Sequence, residues 1–114
     1  MNLTVTQKCD VTVLTPAGEF TRDGAAQWAD TLEKSLQCGH RDFVVDLGQL
    51  EGVDSAALEA FTALQRRCEQ ELGMVRFCEA TPTLRKIFEL TRLDRALLLH
   101  PHLQEALDEF QVIR

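Results

Sequence analysis

The chain has 114 residues, 45% of them hydrophobic, with a formal net charge of -6 and a pI near 5.0. That length suits one domain, residues 1–114, able to bury a core, and the acidic balance without any basic run argues against nucleic acid or anionic lipid as a direct partner. No apolar stretch nears the roughly 18 residues of a membrane span, and the opening MNLTVTQKCD has no signal-peptide pattern, so a cytoplasmic protein without membrane insertion is expected.

In chain order, NLTVTQ alternates and is rich in Thr and Val, which predicts a short strand, with Val11 to about Thr15 as its hairpin partner. Pro16 and Gly18 then signal a turn. Ala25, Trp28, Ala29, Leu32 and Leu36 recur at helical spacing and predict a helix over 22–36, with Thr21 or Asp23 as its cap and Gly39 at its end. FVVDL, residues 43–47, reads as a central strand because polar alternation is absent until Asp46. A second helix over 55–72 carries the stripe Leu58, Phe61, Leu64 or Gln65, Cys68 and Leu72, and Gly73 ends it. MVRFCEA is the next strand. Thr81 as cap and Pro82 at the first helical position start a helix that buries Leu84, Ile87 and Phe88. ALLLH, residues 96–100, reads as a short strand, and a last helix over about 103–112 buries Leu103, Ala106, Leu107 and Phe110.

The alternation of strand and helix predicts an α/β domain: a mixed sheet of about four to five strands with about four helices packed on it, parallel neighbours being joined by right-handed crossovers. The four cysteines Cys9, Cys38, Cys68 and Cys78 form no CxxC pair and no zinc spacing, so they read as reduced, mostly buried thiols. His100 and His102 flank Pro101 and read as a proline-bounded loop, not a metal site. Trp28, Phe61 and Phe88 lie on core stripes. No metal and no cofactor is expected.

The stretch EGVDSAA, residues 51–57, stands between the central strand and the second helix. Helix N-termini carry unsatisfied N–H groups and partial positive charge, so Asp54 or Ser55 can serve as the cap. A hydroxyl at such a strand-to-helix junction also sits at the sheet rim, where loops meet partners. A phosphate on Ser55 would be stabilised by the helix N-terminus, yet would stand beside Asp54 and near Glu51. Such a dianion would alter recognition by a partner more than it alters the fold.

The runs FVVDLGQLEGVDSAALEAFTAL and GMVRFCEATPTLRKIFELTRLDRAL resemble the STAS domain, the fold of sulfate-transporter tails and anti-sigma factor antagonists. The matching residues are Asp46-Leu47, Asp54-Ser55-Ala56-Ala57-Leu58, the helix with Pro82, Leu84, Arg85 and Phe88, and Leu90-Thr91-Arg92-Leu93-Asp94. Gly18-Glu19-Phe20 is similar to the family's Gly-Glu-Leu turn before the first long helix, with Thr21 where Asp is common. The resemblance covers nearly the whole chain, and its specificity lies in the ordered set. It implies a regulatory binding protein, an anti-sigma factor antagonist that binds a serine-kinase anti-sigma factor and so frees a sigma factor. Ser55 would be the phosphorylation site, a phosphatase would restore binding, and Asp54, Ser55, Ala56, Ala57 and Glu51 would form the partner surface. Ala56 replaces a second Ser or Thr, and Ala57 replaces the family's glycine.

The alternative the resemblance implies is a STAS subunit of an ABC-type lipid transport complex, docked on its ATPase. That class often has Thr at the key position, so Ser55 favours the antagonist. An enzyme is not expected, because Ser55 has no evident base, and the chain has neither a GxSxG elbow nor a Gly-rich phosphate loop.

Overall fold

The computed structural model describes residues 1–8 and 10–113, and for 111–113 the backbone alone. The elements run β1 Asn2–Lys8, β2 Val11–Phe20, α1 Arg22–Gln37, β3 Asp42–Asp46, β4 Leu50–Val53, α2 Ser55–Gln70, β5 Met74–Cys78, α3 Pro82–Thr91, α4 Leu93–Ala96, β6 Leu99–His100 and α5 Leu103–Ile113. The sheet order is β1-β2-β3-β5-β6, with β4 pairing the far end of β2. β1 and β2 are antiparallel and every other pair is parallel. This is the expected α/β domain with a mixed sheet, with six strands and five helices among the described residues.

The central strand β3 is apolar on both faces because helices cover both. Phe43 and Val45 join Phe61, Trp28, Leu64 and Phe88 in the larger core, beneath α1, α2 and α3. Val44 points the other way, into a smaller core with Val11, Val13, Ala106, Leu107 and Phe110, beneath α5. Period-two alternation is present, but both faces are buried, so the sequence shows a continuous apolar run. Phe61 is the hub of the larger core. Its ring centroid lies 5.5 Å from Phe20, 5.6 Å from Trp28, 5.6 Å from Phe77 and 6.4 Å from Phe88, mostly edge-to-face.

Several expectations need correction. The strand predicted to stop near Thr15 runs through Pro16 and Gly18 to Phe20. Pro16 falls between the last β3 pair at Leu14 and the first β4 pair at Gly18, where the parallel neighbours change over. Gly18, at φ 83°, serves the irregularity there. Residues 50–53 are a strand, not a connecting loop, so α2 follows β4. Leu64, not Gln65, is the buried residue of its pair, and Leu72 is 94% exposed instead of core. α2 ends at Gln70, and Leu72 takes φ 60° to turn the chain away. Gly73 follows because a Cβ there would stand 1.8 Å from the Arg41 carbonyl oxygen.

ALLLH is less of a strand than expected. Ala96 closes the single-turn α4, and only Leu99 and His100 pair with β5. Thr81 caps α3 as expected, its Oγ1 accepting from Leu84 N–H at 3.2 Å, with Pro82 at the first position. Gly39, at φ 89°, ends α1 as expected. Cys68 and Cys78 are buried, and burial pushes both thiols up to about 12. Cys38 is the exposed exception among the described cysteines, and Cys9 lies outside the described residues. Trp28, Phe61 and Phe88 are core residues.

Candidate functional site

The Asp54–Ser55 junction is built by β2, β4 and two helices. Asp54 N–H donates to the Phe20 carbonyl at 3.2 Å, which extends the β2–β4 pairing by one step and fixes the start of α2. The Asp54 carboxylate then serves two helices. Oδ1 accepts from Ala57 N–H of α2 at 3.0 Å, and Oδ2 accepts from Arg22 N–H, the first residue of α1, also at 3.0 Å. Thr21 holds the N-cap position of α1, but its side chain makes no capping bond. The cap comes from 32 residues further along the chain. The Ala57 N–H bond, with lesser help from Arg22, lowers the Asp54 carboxyl below its ordinary value of 3.8.

This settles which residue is the cap. Asp54 occupies that role, so the Ser55 hydroxyl is not needed for it. Ser55 is the first residue of α2, is exposed, and has no side-chain hydrogen-bond partner among the described residues. Glu51 is exposed on β4, and Ala56 is partly exposed beside Ser55. Ala57 is different: it is fully buried in the larger core. Its small side chain lets the first turn of α2 lie against the sheet, and its N–H faces Asp54.

Ser55 stands at one end of a surface groove of about 530 Å³. Along α2 the groove is lined by Leu58, Glu59, Thr62, Ala63 and Arg66; across from them stand Thr91 and Leu93. The α2 residues recur at spacings of three and four, so they share one helix face. Eleven residues separate Ser55 from Arg66 along α2, which is about 16 Å of helix rise. Sequence reasoning assigned Leu58 to the core and gave the groove no notice. The available signal was the second stripe, Ser55-Glu59-Thr62-Arg66, polar throughout and so indistinguishable from ordinary solvated helix surface. No histidine lines this groove. His40 lies at a cavity with Arg41 and Leu72, and His100 at another with Arg85. Among the described residues no group of His, Cys, Asp and Glu is arranged to hold a metal ion, and no helix is long and apolar enough to cross a membrane.

With this geometry in view, the similarities of the chain are informative. BtrV of Bordetella bronchiseptica, whose name places it among anti-sigma factor antagonists, is 28% identical over 91 residues, covering 80% of this chain and 78% of its own. Among solved structures, TM1081 of Thermotoga maritima superposes with a TM-score of 0.87 at 20% identity, covering 94% of this chain and 92% of that one. The anti-sigma factor antagonist SpoIIAA in its unphosphorylated form gives a TM-score of 0.77 at 17% identity, covering 96% of this chain and 98% of that one. SpoIIAA of Bacillus in its phosphorylated form gives 0.74 at 18% identity, over 96% and 99%. At these identities the structures establish the fold. A family model described as "Mlab, STAS domain" matches residues 3–104. The chain belongs to the STAS domain family.

Proposed function

We propose that this protein is an anti-sigma factor antagonist: it binds a serine-kinase anti-sigma factor through the surface around Ser55, and phosphorylation of Ser55 abolishes that contact. The observation that carries the reading is the division of labour at the junction. Asp54 alone caps α2, which leaves the Ser55 hydroxyl exposed and unpartnered at the mouth of a groove. A hydroxyl with no structural task can gain a phosphate without loss of fold. The added charge of about -1.5 to -2 would meet the first N–H groups of α2, which favour it, and the Asp54 carboxylate, which opposes it. The net effect falls on the partner side of the surface, where Ser55, Ala56 and Glu51 are accessible and Asp54 holds the first turn in place. Ala57 would contribute by shaping the helix start from within. The names of BtrV and SpoIIAA, and the existence of a phosphorylated SpoIIAA, support the same reading.

The test is capture of partners by wild type, Ser55→Ala and Ser55→Asp, with phosphate mapping on the wild-type chain. A serine kinase retained by wild type and Ser55→Ala and lost by Ser55→Asp supports the proposal. A second reading, a STAS subunit of a lipid-transporting ABC complex, is favoured by one observation: the matched family model is described by Mlab and not by an antagonist. It requires an ATPase as the captured partner and a bare Ser55.

A further inference from the structure

A second cavity, of about 260 Å³, opens on the other side of the α3–α4 turn. Arg85 and Glu89 of α3, Asp94 of α4 and His100 at the end of β6 surround it, over a floor that includes Ala80 and Leu99. The side chains of Arg85, Glu89 and Asp94 have no hydrogen-bond or ion-pair partner among the described residues. Arg85 and Glu89 are four residues apart on one helix, and elsewhere in the chain that spacing closes. Lys34–Asp30 meet at 3.0 Å and Arg67–Glu71 at 3.4 Å, the latter with the same Arg-before-Glu orientation. His100 directs Nε2 to Glu109 at 3.2 Å, so Nδ1 has no partner among the described residues. Arg85, Glu89 and Asp94 are all exposed, so these charged groups line one concave space solvated and without a protein partner among the described residues.

We propose that this cavity binds a small amino acid with a second cationic group, of the lysine or arginine type, its carboxylate on Arg85 and its cationic groups on Glu89 and Asp94. One guanidinium and two carboxylates leave the wall with an excess of one negative charge, and such a ligand carries the matching excess of one positive charge. A phosphate ester would meet two carboxylates, and a bare metal ion would meet the guanidinium. The volume lies just below the range of about 300–1,000 Å³ usual for drug-sized ligands, which suits a molecule of amino-acid size. The site and the Ser55 groove take residues from the same α3–α4 turn. Glu89 and Asp94 line the cavity, whereas Thr91 and Leu93 line the groove, and Arg92 between them is left-handed at φ 63°. A ligand that draws Glu89 and Asp94 together sets the position of that turn, and so the width of the groove. Binding itself is independent of the phosphorylation switch; only its regulatory meaning rests on that reading.

The experiment is a ¹⁵N–¹H spectrum of the full chain titrated with L-lysine. Saturable shifts are expected at the Ala80, Arg85, Asp94 and Leu99 amides, with a Kd on the order of 0.1–1 mM for so small a ligand. Arg85→Gln and Asp94→Asn, with otherwise preserved spectra, should each weaken binding about tenfold or more, the loss of a charge-assisted contact. Pentylamine and hexanoate, each carrying only one kind of charge, should bind at least about tenfold more weakly than lysine on the same grounds. Linear shifts without saturation, an unchanged Kd in both variants, or equal binding of pentylamine would overturn the site. Saturable binding without movement of the Thr91 and Leu93 amides would overturn the link to the groove. Neither result depends on whether Ser55 carries phosphate.

Discussion

At the scale of single residues, the neighbours Asp54 and Ser55 have opposite tasks. Asp54 is structural: its two carboxylate oxygens hold the starts of α1 and α2 together. Ser55 is chemically idle within the fold. Ser55→Ala should therefore change stability by no more than about 0.5 kcal/mol, as at an ordinary surface position. Thermal unfolding checks this, and a loss of more than a kilocalorie would mean that the hydroxyl has a hidden partner. For Asp54 the sign of the pH effect follows from its lowered carboxyl. The folded chain holds the charged form more tightly than the unfolded chain does, so the contribution is present above about pH 4 and is lost as pH falls through the lowered value. In Asp54→Asn the amide oxygen can still accept a capping bond, but the charge is gone. The stability gap between wild type and this variant, followed by denaturant titration, should narrow as the pH drops below about 4. A gap that stays constant with pH would contradict the capping account. From sequence, residues 54 and 55 were both candidates for the cap. What could not be seen was that one carboxylate serves two helices, because Arg22 and Asp54 meet only through the β2–β4 pairing.

At the scale of elements, start and stop chemistry was the most legible part. Thr81-Pro82 opens α3 and Gly39 closes α1, since these two ends are set by local residues, unlike the start of α1, which Asp54 caps from across the fold. Thr81→Ala should cost about 1 kcal/mol, the usual loss for a side-chain cap, measurable as a lowered denaturant midpoint at unchanged slope. Gly73 was read as a helix end, but its tighter role is tertiary. Its backbone passes against Arg41, and Gly73→Ala should destabilise by several times the roughly 1 kcal/mol of an average substitution, because backbone must move. A mild effect would mean that the α2–β5 connection adjusts freely. The elements missed from sequence were those whose existence depends on a distant neighbour. Residues 50–53 form a strand only because β2 continues past Pro16 to meet them, and Pro16-Gly18 is a turn signal everywhere except where a strand changes partners. The four-residue α4 is too short to show a period.

At the scale of the molecule, two cores sit on either side of one sheet, and the proposed partner surface lies at the start of α2, on the side of the larger core. The fold class was legible because strand and helix periods alternate cleanly and Phe43 to Val45 are apolar on both faces. The groove was not legible, since Leu58 looks like core by spacing and the groove forms only when α2 and the α3–α4 turn come together. The buried thiols give the whole domain an alkaline limit. Cys68 and Cys78, both raised to about 12 by burial, ionise near 9.0 once exposed, so the unfolded chain loses protons that the native chain keeps. Stability should fall progressively as pH rises above about 9, and Cys68→Ala with Cys78→Ala should flatten that slope even though the baseline stability drops.

The most direct measurement is partner capture from native extract with wild type, Ser55→Ala and Ser55→Asp, combined with mass spectrometry of the wild-type chain. Phosphate on Ser55, with a serine kinase retained by wild type and Ser55→Ala and released by Ser55→Asp, is the expected result. The same partner held equally by all three chains, or an ABC ATPase held by a chain whose Ser55 is bare, would contradict the switch and leave Ser55 as a passive part of an interface.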